Sequence, residues 1–230
     1  MIGIIGAMFE EVELLMDMME GKEIIEVASM QFAKGKLQGK GVVVVQSGIG
    51  KVNAGICAQI LVDRFQVEKL INTGIAGSLD AKIDIGDIVI STDAVQHDMD
   101  AVAFGYPLGQ IPRMDTVAFP ADENLIEVAR RANANANPEL HTFIGRVATG
   151  DEFVASDESK TKIKENFNAL CAEMEGAAIA QVAYLNKIPY VIIRAISDKA
   201  DHSATIDYPE FEKKAIHHSV RLMEEILTVL

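Results

Sequence analysis

Short apolar runs alternate along this chain with segments of helical spacing, and that alternation restricts the fold more than any other property of the sequence. Residues 2–5 read as a buried strand ending at Gly6, after which Val12, Leu15, Met16 and Met19 recur at helical spacing over residues 10–19. Further strands are predicted at 69–72, 87–94, 146–149, 169–172 and 190–196. Helices are predicted at 51–65, 122–135, 176–185 and 211–227, with a short one between the loop 150–157 and the strand at 169. Asn137-Pro138 closes the helix before it, because the residue ahead of a proline disfavours the α region. Runs 27–33 and 41–46 flank the polar, glycine-containing stretch 34–40, which predicts a hairpin, and 73–86 reads as a glycine-dotted loop. Asp207 with Glu210 resembles a capping box opening the last helix. This order predicts an α/β fold, a three-layer α/β/α sandwich around a mixed, mainly parallel sheet. At 230 residues, 49% of them hydrophobic, a single domain over 1–230 can bury one sizeable core.

Charge and cysteine usage remove whole classes of partner. The formal net charge is −13 and Lys and Arg are not clustered, so neither nucleic acid nor an anionic membrane is an expected partner. The strongest apolar runs, 41–45 and 190–193, are far too short to span a bilayer. Met1-Ile2-Gly3 enters a strand directly, without the basic start of a signal peptide, which predicts a cytoplasmic protein. Cys57 and Cys171 sit in apolar surroundings with no C-x-x-C spacing and are expected as buried free thiols.

Ligands in open α/β sheets gather at the carboxyl ends of strands, so reactive residues that follow strands are the candidates. Six segments qualify: Met8 to Glu11, Ser47 to Gly50, Asn72 to Gly77, Gly150 to Val154, Glu173 to Glu175, and Ser197-Asp198. Ionised groups beside apolar strands are costly unless paired or used, which singles out Glu173, Glu175, Arg194 and Asp198. Glu10, Glu11 and Glu13 also fit a plain role loading the first turn of a helix, and Glu175 fits one as a helix opener. Gly48-Ile49-Gly50-Lys51 is not a phosphate loop, since Val45 and Val52 occupy the outer motif positions, and Gly3-Ile4-Ile5-Gly6 is not a dinucleotide fingerprint. His97-Asp98-Met99-Asp100 reads as a hydrogen-bonded loop rather than a metal site, and His217-His218 as surface residues.

Taken in order, Ile4-Ile5-Gly6-Ala7-Met8-x-Glu10-Glu11-Val12, Ser47-Gly48-Ile49-Gly50-Lys51-Val52-Asn53-Ala54, Asn72-Thr73-Gly74, Phe104-Gly105-Tyr106, Ala172-x-Met174-Glu175 and Arg194-Ala195-Ile196-Ser197-Asp198 resemble the bacterial 5′-methylthioadenosine/S-adenosylhomocysteine nucleosidases. The resemblance covers almost the whole chain and implies the nucleoside phosphorylase/hydrolase superfamily with its α/β/α fold. It implies hydrolysis of the N-glycosidic bond of 5′-methylthioadenosine, S-adenosylhomocysteine and 5′-deoxyadenosine. Asp198 then matches the acid that protonates purine N7, Glu175 the carboxylate on the ribose hydroxyls, and Glu11 the one that activates water, with Arg194 beside that water. Phe153 and Val154 match the purine site, and Ser197 helps place the acid. Met8, Ile49, Met174 and Tyr208 match the apolar wall at ribose and thioether. Phe104 and Pro112 match residues reaching a neighbouring subunit's pocket, which implies a homodimer. The partner is a small nucleoside, and the chemistry requires neither cofactor nor metal.

Three positions depart from the family pattern: Phe9 for a glutamate, Ile75 for a serine near the attacking water, and Tyr208 for a phenylalanine. Two other functions fit the same framework. A purine nucleoside phosphorylase needs several cations around phosphate, and here only Arg194 lies in a pocket motif. A nucleoside-binding protein without turnover has no need for an acid and a base together. Substrate preference stays open, with aminodeoxyfutalosine as a fourth candidate.

Overall fold

The computed structural model describes the backbone of residues 1–230 and the side chains of all but Thr205, Ile206 and Pro209. Ten strands and six α-helices follow one another as β1 (Ile2–Gly6), α1 (Phe9–Asp17), β2 (Glu20–Val27), β3 (Met30–Leu37), β4 (Lys40–Gln46), α2 (Lys51–Phe65), β5 (Lys69–Ser78), β6 (Ile88–Gln96), β7 (Ala118–Pro120), α3 (Glu123–Ala136), β8 (Thr142–Thr149), α4 (Asp157–Phe167), β9 (Cys171–Glu173), α5 (Gly176–Asn186), β10 (Tyr190–Asp198) and α6 (Ala204–Val229). A single 3-10 turn, Val102–Phe104, lies between β6 and β7.

Strand alternation sorts the core into two layers. Val42 and Val44 of β4, Ile71 of β5 and Ile193 of β10 face the helices α1, α3 and α6, where Leu15, Ala129 and Leu222 meet them. Val43 and Val45, Leu70 and Ile192 point the other way, onto Ala58 of α2 and Ile179 of α5. A period of two in the strands against 3.6 in the helices thus gives the three-layer sandwich. The sheet is mixed. β1 runs parallel between β4 and β5, β5 runs parallel to β10, and β6, β8 and β9 are parallel neighbours. β10 meets β6 antiparallel, β9 meets the end of β5 antiparallel, and β2, β3 and β4 form an antiparallel meander.

Because β10 pairs with both β5 and β6, the path β5–β10–β6–β8–β9 returns to β5 and closes a ring, with β1, β4, β3 and β2 as an open flap on one side. The β1 pairing of β5 ends at Asn72 and the β9 pairing begins at Gly77. The edge of β5 from Thr73 to Ala76 therefore looks into a gap between β1 and β9. Strands that part at their carboxyl ends leave a crevice there.

Four sequence expectations change. The stretch 73–86 is not all loop, because β5 continues to Ser78 through Gly74 and Gly77. The hairpin is a meander with turns at Ala28-Ser29 and Gln38-Gly39, all four residues at positive φ, so that most of 34–40 is strand. Its first strand, β2, is a largely exposed edge rich in Glu and Lys, a composition that protects an edge from pairing with another chain. α6 starts at Ala204, and Asp207 sits inside its first turns accepting a bond from Ser203 Oγ at 2.6 Å, so Asp207 and Glu210 form no capping box. His218 is buried rather than on the surface, with Nδ1 3.4 Å from the Gly86 carbonyl oxygen, while His217 is exposed. Cys57 and Cys171 are free and buried. No helix among the described residues is long and apolar enough to cross a membrane.

Candidate active site

The crevice at the strand ends is a cavity of about 400 Å³, a volume suited to a nucleoside-sized ligand. Of the expected residues, Met8, Glu11, Ile49, Phe153, Met174, Glu175, Ser197, Asp198 and Tyr208 line it. Val154 lies just behind, in a small pocket shared with Phe153, Met174 and Asp198. Arg194 does not line the cavity. Phe104 and Pro112 are exposed and also do not line it within this chain.

Glu11 both caps the start of α1 and lines the cavity. As the third residue of α1 it folds back onto the start of the helix, its Oε2 accepting from the backbone N–H of Ala7 at 2.7 Å and of Met8 at 3.0 Å. Oε1 accepts from Ile75 N at 3.1 Å, using the β5 edge left open between β1 and β9. A Cβ at Gly74 would stand 2.5 Å from Glu11 Oε1, so the strand passes the carboxylate only with glycine there. Burial raises the Glu11 pKa above the ordinary value, against Arg194 and the three backbone donors.

Asp198 ends β10. Its Oδ2 accepts from Ser197 Oγ at 2.8 Å and its Oδ1 from Ala200 N at 2.7 Å. A Cβ at Gly77 would lie 2.8 Å from that Oδ1, which gives the second glycine in β5 the same explanation as the first. Burial, with smaller contributions from Asp207 and Asp201, pushes the Asp198 pKa up despite both hydrogen bonds.

Glu175 opens α5 through its carbonyl, while its side chain turns away from that helix to accept from Gly50 N at 2.9 Å. Gly50 has φ +94, a left-handed conformation that favours glycine. Burial and then the nearby Glu173 charge push the Glu175 pKa up to about 7, outweighing Arg194 and the Gly50 bond.

Glu173, singled out in the sequence with Glu175, Arg194 and Asp198 but matched to no catalytic or substrate-binding role, also lines the cavity. It pairs with Arg194 Nη2 and accepts from Thr149 Oγ1, from Gly176 N at 2.7 Å and from Glu175 N at 3.3 Å. The signal was present: a second carboxylate two residues from Glu175, at the end of the same short strand. Arg194 is 2% exposed and holds Glu173, Asn72 Oδ1 and the Ile193 carbonyl, while its Nε has no hydrogen-bond partner. Burial pulls the guanidinium pKa down, yet Glu173, Glu175 and Glu11 together hold it above the ordinary value. Phe153 and Tyr208 also line the cavity, their rings edge to face at 5.8 Å, and the Tyr208 hydroxyl reaches Met8 Sδ at 3.3 Å and Glu212 Oε1 at 3.2 Å.

Such an arrangement gathers four carboxyl groups around one small space, and burial raises the pKa of Glu11, Glu175 and Asp198. That suits acid and base catalysis on a single bound molecule.

Residues 1–228 match the family model described as the phosphorylase superfamily. The 5′-methylthioadenosine/S-adenosylhomocysteine nucleosidase of Staphylococcus saprophyticus is 45% identical over the full length of both chains. Among solved structures, the nucleosidase of that description from Neisseria meningitidis, in complex with methylthio-immucillin-A, superposes with a TM-score of 0.96 at 40% identity, covering 100% of this chain and 99% of that one. A futalosine hydrolase from Helicobacter pylori superposes with a TM-score of 0.94 at 33% identity, covering 100% and 97%.

Proposed function

The chain belongs to the 5′-methylthioadenosine/S-adenosylhomocysteine nucleosidases of the phosphorylase superfamily, and from that membership we propose how its own residues carry the hydrolysis. The reaction breaks the N-glycosidic bond of the two nucleosides, releasing adenine and a 5-substituted ribose. 5′-Deoxyadenosine is proposed as a third substrate. One observation carries the reading: Glu11, Glu175 and Asp198 line one cavity, and burial raises the pKa of all three.

Adenine leaves readily only as a neutral base, so a proton must reach N7 as the bond to ribose stretches. Asp198 is the donor in this scheme. Burial pushes its pKa up and so favours the protonated form, and Ser197 and Ala200 fix its direction. The departing base leaves positive charge on the ribose. Glu173, Glu175 and Glu11 face a single guanidinium, Arg194, so the cavity is biased toward negative charge where the sugar becomes cationic. Glu175 holds the ribose hydroxyls. Glu11, held by three backbone N–H groups, orients water and takes its proton, and Ile75 contributes to that geometry through its main chain. Arg194 acts through Glu173 and through its charge. Phe153 packs on the purine, Val154 bonds it through its main chain, and Met8, Ile49, Met174 and Tyr208 enclose the ribose and alkylthio group.

Phe104, 84% exposed, and Val102, 53% exposed, lie with exposed Pro112 on the segment between β6 and β7. Such an apolar surface supports a homodimer in which Phe104 and Pro112 complete the neighbour's thioether pocket. Free, buried thiols fit a cytoplasmic setting.

Adenine release in phosphate-free buffer tests hydrolysis against phosphorolysis; strict dependence on added phosphate would overturn the reading. Values of kcat/KM for methylthioadenosine, S-adenosylhomocysteine, 5′-deoxyadenosine and aminodeoxyfutalosine rank the substrates. Sedimentation of wild type against Phe104→Ala tests the dimer.

A further inference from the structure

We propose that Asp98 and Asp151, with Lys51, form a clasp outside the cavity that positions two parts of the active site at once: the Gly50 N–H that holds Glu175, and the loop that carries Phe153. This rests on the roles proposed above for Glu175 and Phe153, and adds residues that touch neither substrate nor reacting atoms.

The connections are continuous. Asp151 Oδ1 accepts from Lys51 N at 2.9 Å, capping the start of α2 from a residue 100 positions away in sequence. Asp151 N donates to Asp98 Oδ2 at 3.0 Å, and Asp98 Oδ1 takes Lys51 Nζ at 2.6 Å. Three segments therefore share a closed circuit: the end of β6, the loop after β8 and the first turn of α2. Lys51 Nζ also reaches Gln96 Oε1 at 3.2 Å, anchoring the circuit to β6 itself. Gly50 precedes Lys51 directly, so a displaced α2 start moves the N–H that Glu175 accepts. Phe153 follows Asp151 by two residues, and the loop is fixed upstream by Gly150 N on the Glu173 carbonyl at 3.1 Å.

The start of α2 has no side-chain cap of its own. The N-cap of α2 is Gly50, which has no side chain to bond the helix, so an outside acceptor supplies that role. A Cβ at Gly50 would lie 3.1 Å from Asp151 Oδ1, so the two segments are in close contact. Lys51 and Asp98 keep 17% and 29% of their side chains exposed. A pair so placed adds little stability, and its value lies in geometry.

The test is steady-state hydrolysis of 5′-methylthioadenosine by Asp151→Ala, Asp151→Asn, Asp98→Ala and Glu175→Gln, with circular dichroism to verify the fold. Asp151→Ala is expected to raise KM about tenfold and lower kcat by a few-fold, the scale of one lost charge-assisted hydrogen bond. The acid limb of its kcat/KM profile should move to higher pH, since the Gly50 N–H bond lowers the Glu175 pKa. Asp151→Asn keeps the Oδ1 acceptor and should recover to within about threefold of wild type. Asp98→Ala should fall between the two. Wild-type KM and pH profile in folded Asp151→Ala or Asp98→Ala would overturn the clasp, as would an Asn variant as impaired as the Ala variant. Normal turnover by Glu175→Gln would instead remove the parent reading, and the clasp with it.

Discussion

The two walls of the cavity are built on different principles. On one side Glu11, Glu173, Glu175 and Asp198 are each no more than 7% exposed and sit at strand ends or helix starts, with backbone donors on every one. On the other, Ile49 and Phe153 are about half exposed, at 53% and 49%, and their neighbours Met8, Met174 and Tyr208 are only partly buried. The acidic wall is preorganised, and the apolar wall is adaptable. Chemistry that moves a proton needs donors fixed before the substrate arrives, whereas a variable alkylthio group needs side chains that yield.

Substitutions on the two walls should therefore fail differently. Asp198→Asn is expected to lower kcat by about 10³-fold or more while an adenosine analogue still binds, because an amide at that place has no proton to give. Near-normal turnover would break the comparison at its strongest point. Glu11→Gln should lower kcat by about 10²-fold. It should also destabilise the fold, because an amide NH₂ must face either Ile75 N–H or the Ala7 and Met8 N–H pair. A conflict of that kind costs about 1–3 kcal/mol, visible in a denaturant titration. Unchanged stability would mean that the carboxylate is not held as described.

Glu175 sharpens the contrast through pH. Its pKa in the folded chain is pushed up to about 7 from 4.5, so the folded state binds the proton more tightly than the unfolded one. The resulting stability is fully present below pH 4.5 and is lost as pH rises through 7, and it amounts to on the order of 3 kcal/mol at most. Thermal melts of wild type and Glu175→Gln at pH 5.5 and pH 8 should show the wild type losing more stability between the two. Parallel losses would count against the raised pKa. The smallest effect belongs to the apolar wall: Tyr208→Phe, which removes the contacts to Met8 and Glu212, should change KM by about two- to threefold and leave kcat nearly untouched. A large fall in kcat would show that this wall takes part in the chemistry.

The acidic wall was also the part most legible in the sequence. Carboxylates that follow apolar strands have few structural duties, and Glu173, Glu175 and Asp198 stand out for that reason, whereas Glu11 also fits a helix start and is picked out by the family resemblance. What sequence hid was the backbone beside them. Gly74 and Gly77 looked like loop because glycine weakens an isolated strand, yet both lie inside β5, where Glu11 and Asp198 leave no room for a side chain. β2 escaped notice because an edge strand needs no apolar face, and the turn at Ala28-Ser29 contains no glycine to announce it. Glu173 was in plain view, but its tie to Arg194 spans 21 residues and depends on how β9 and β10 flank the end of β5. The buried His218 is a departure that a local view misses, because it is the packing of the last helix that buries it beside the Gly86 carbonyl.

The two thiols give the molecule a built-in reporter. Cys57 lies in the middle of α2 and Cys171 begins β9, next to the acidic wall, and burial raises both pKa values so that little thiolate forms in the native state. An alkylating reagent can therefore label each sulfur only during excursions that lift its own segment away from the sheet. The ratio of the two labelling rates, with and without a bound inhibitor, reads how far ligand occupancy locks the strand that ends in Glu173 relative to the helix that starts behind Gly50.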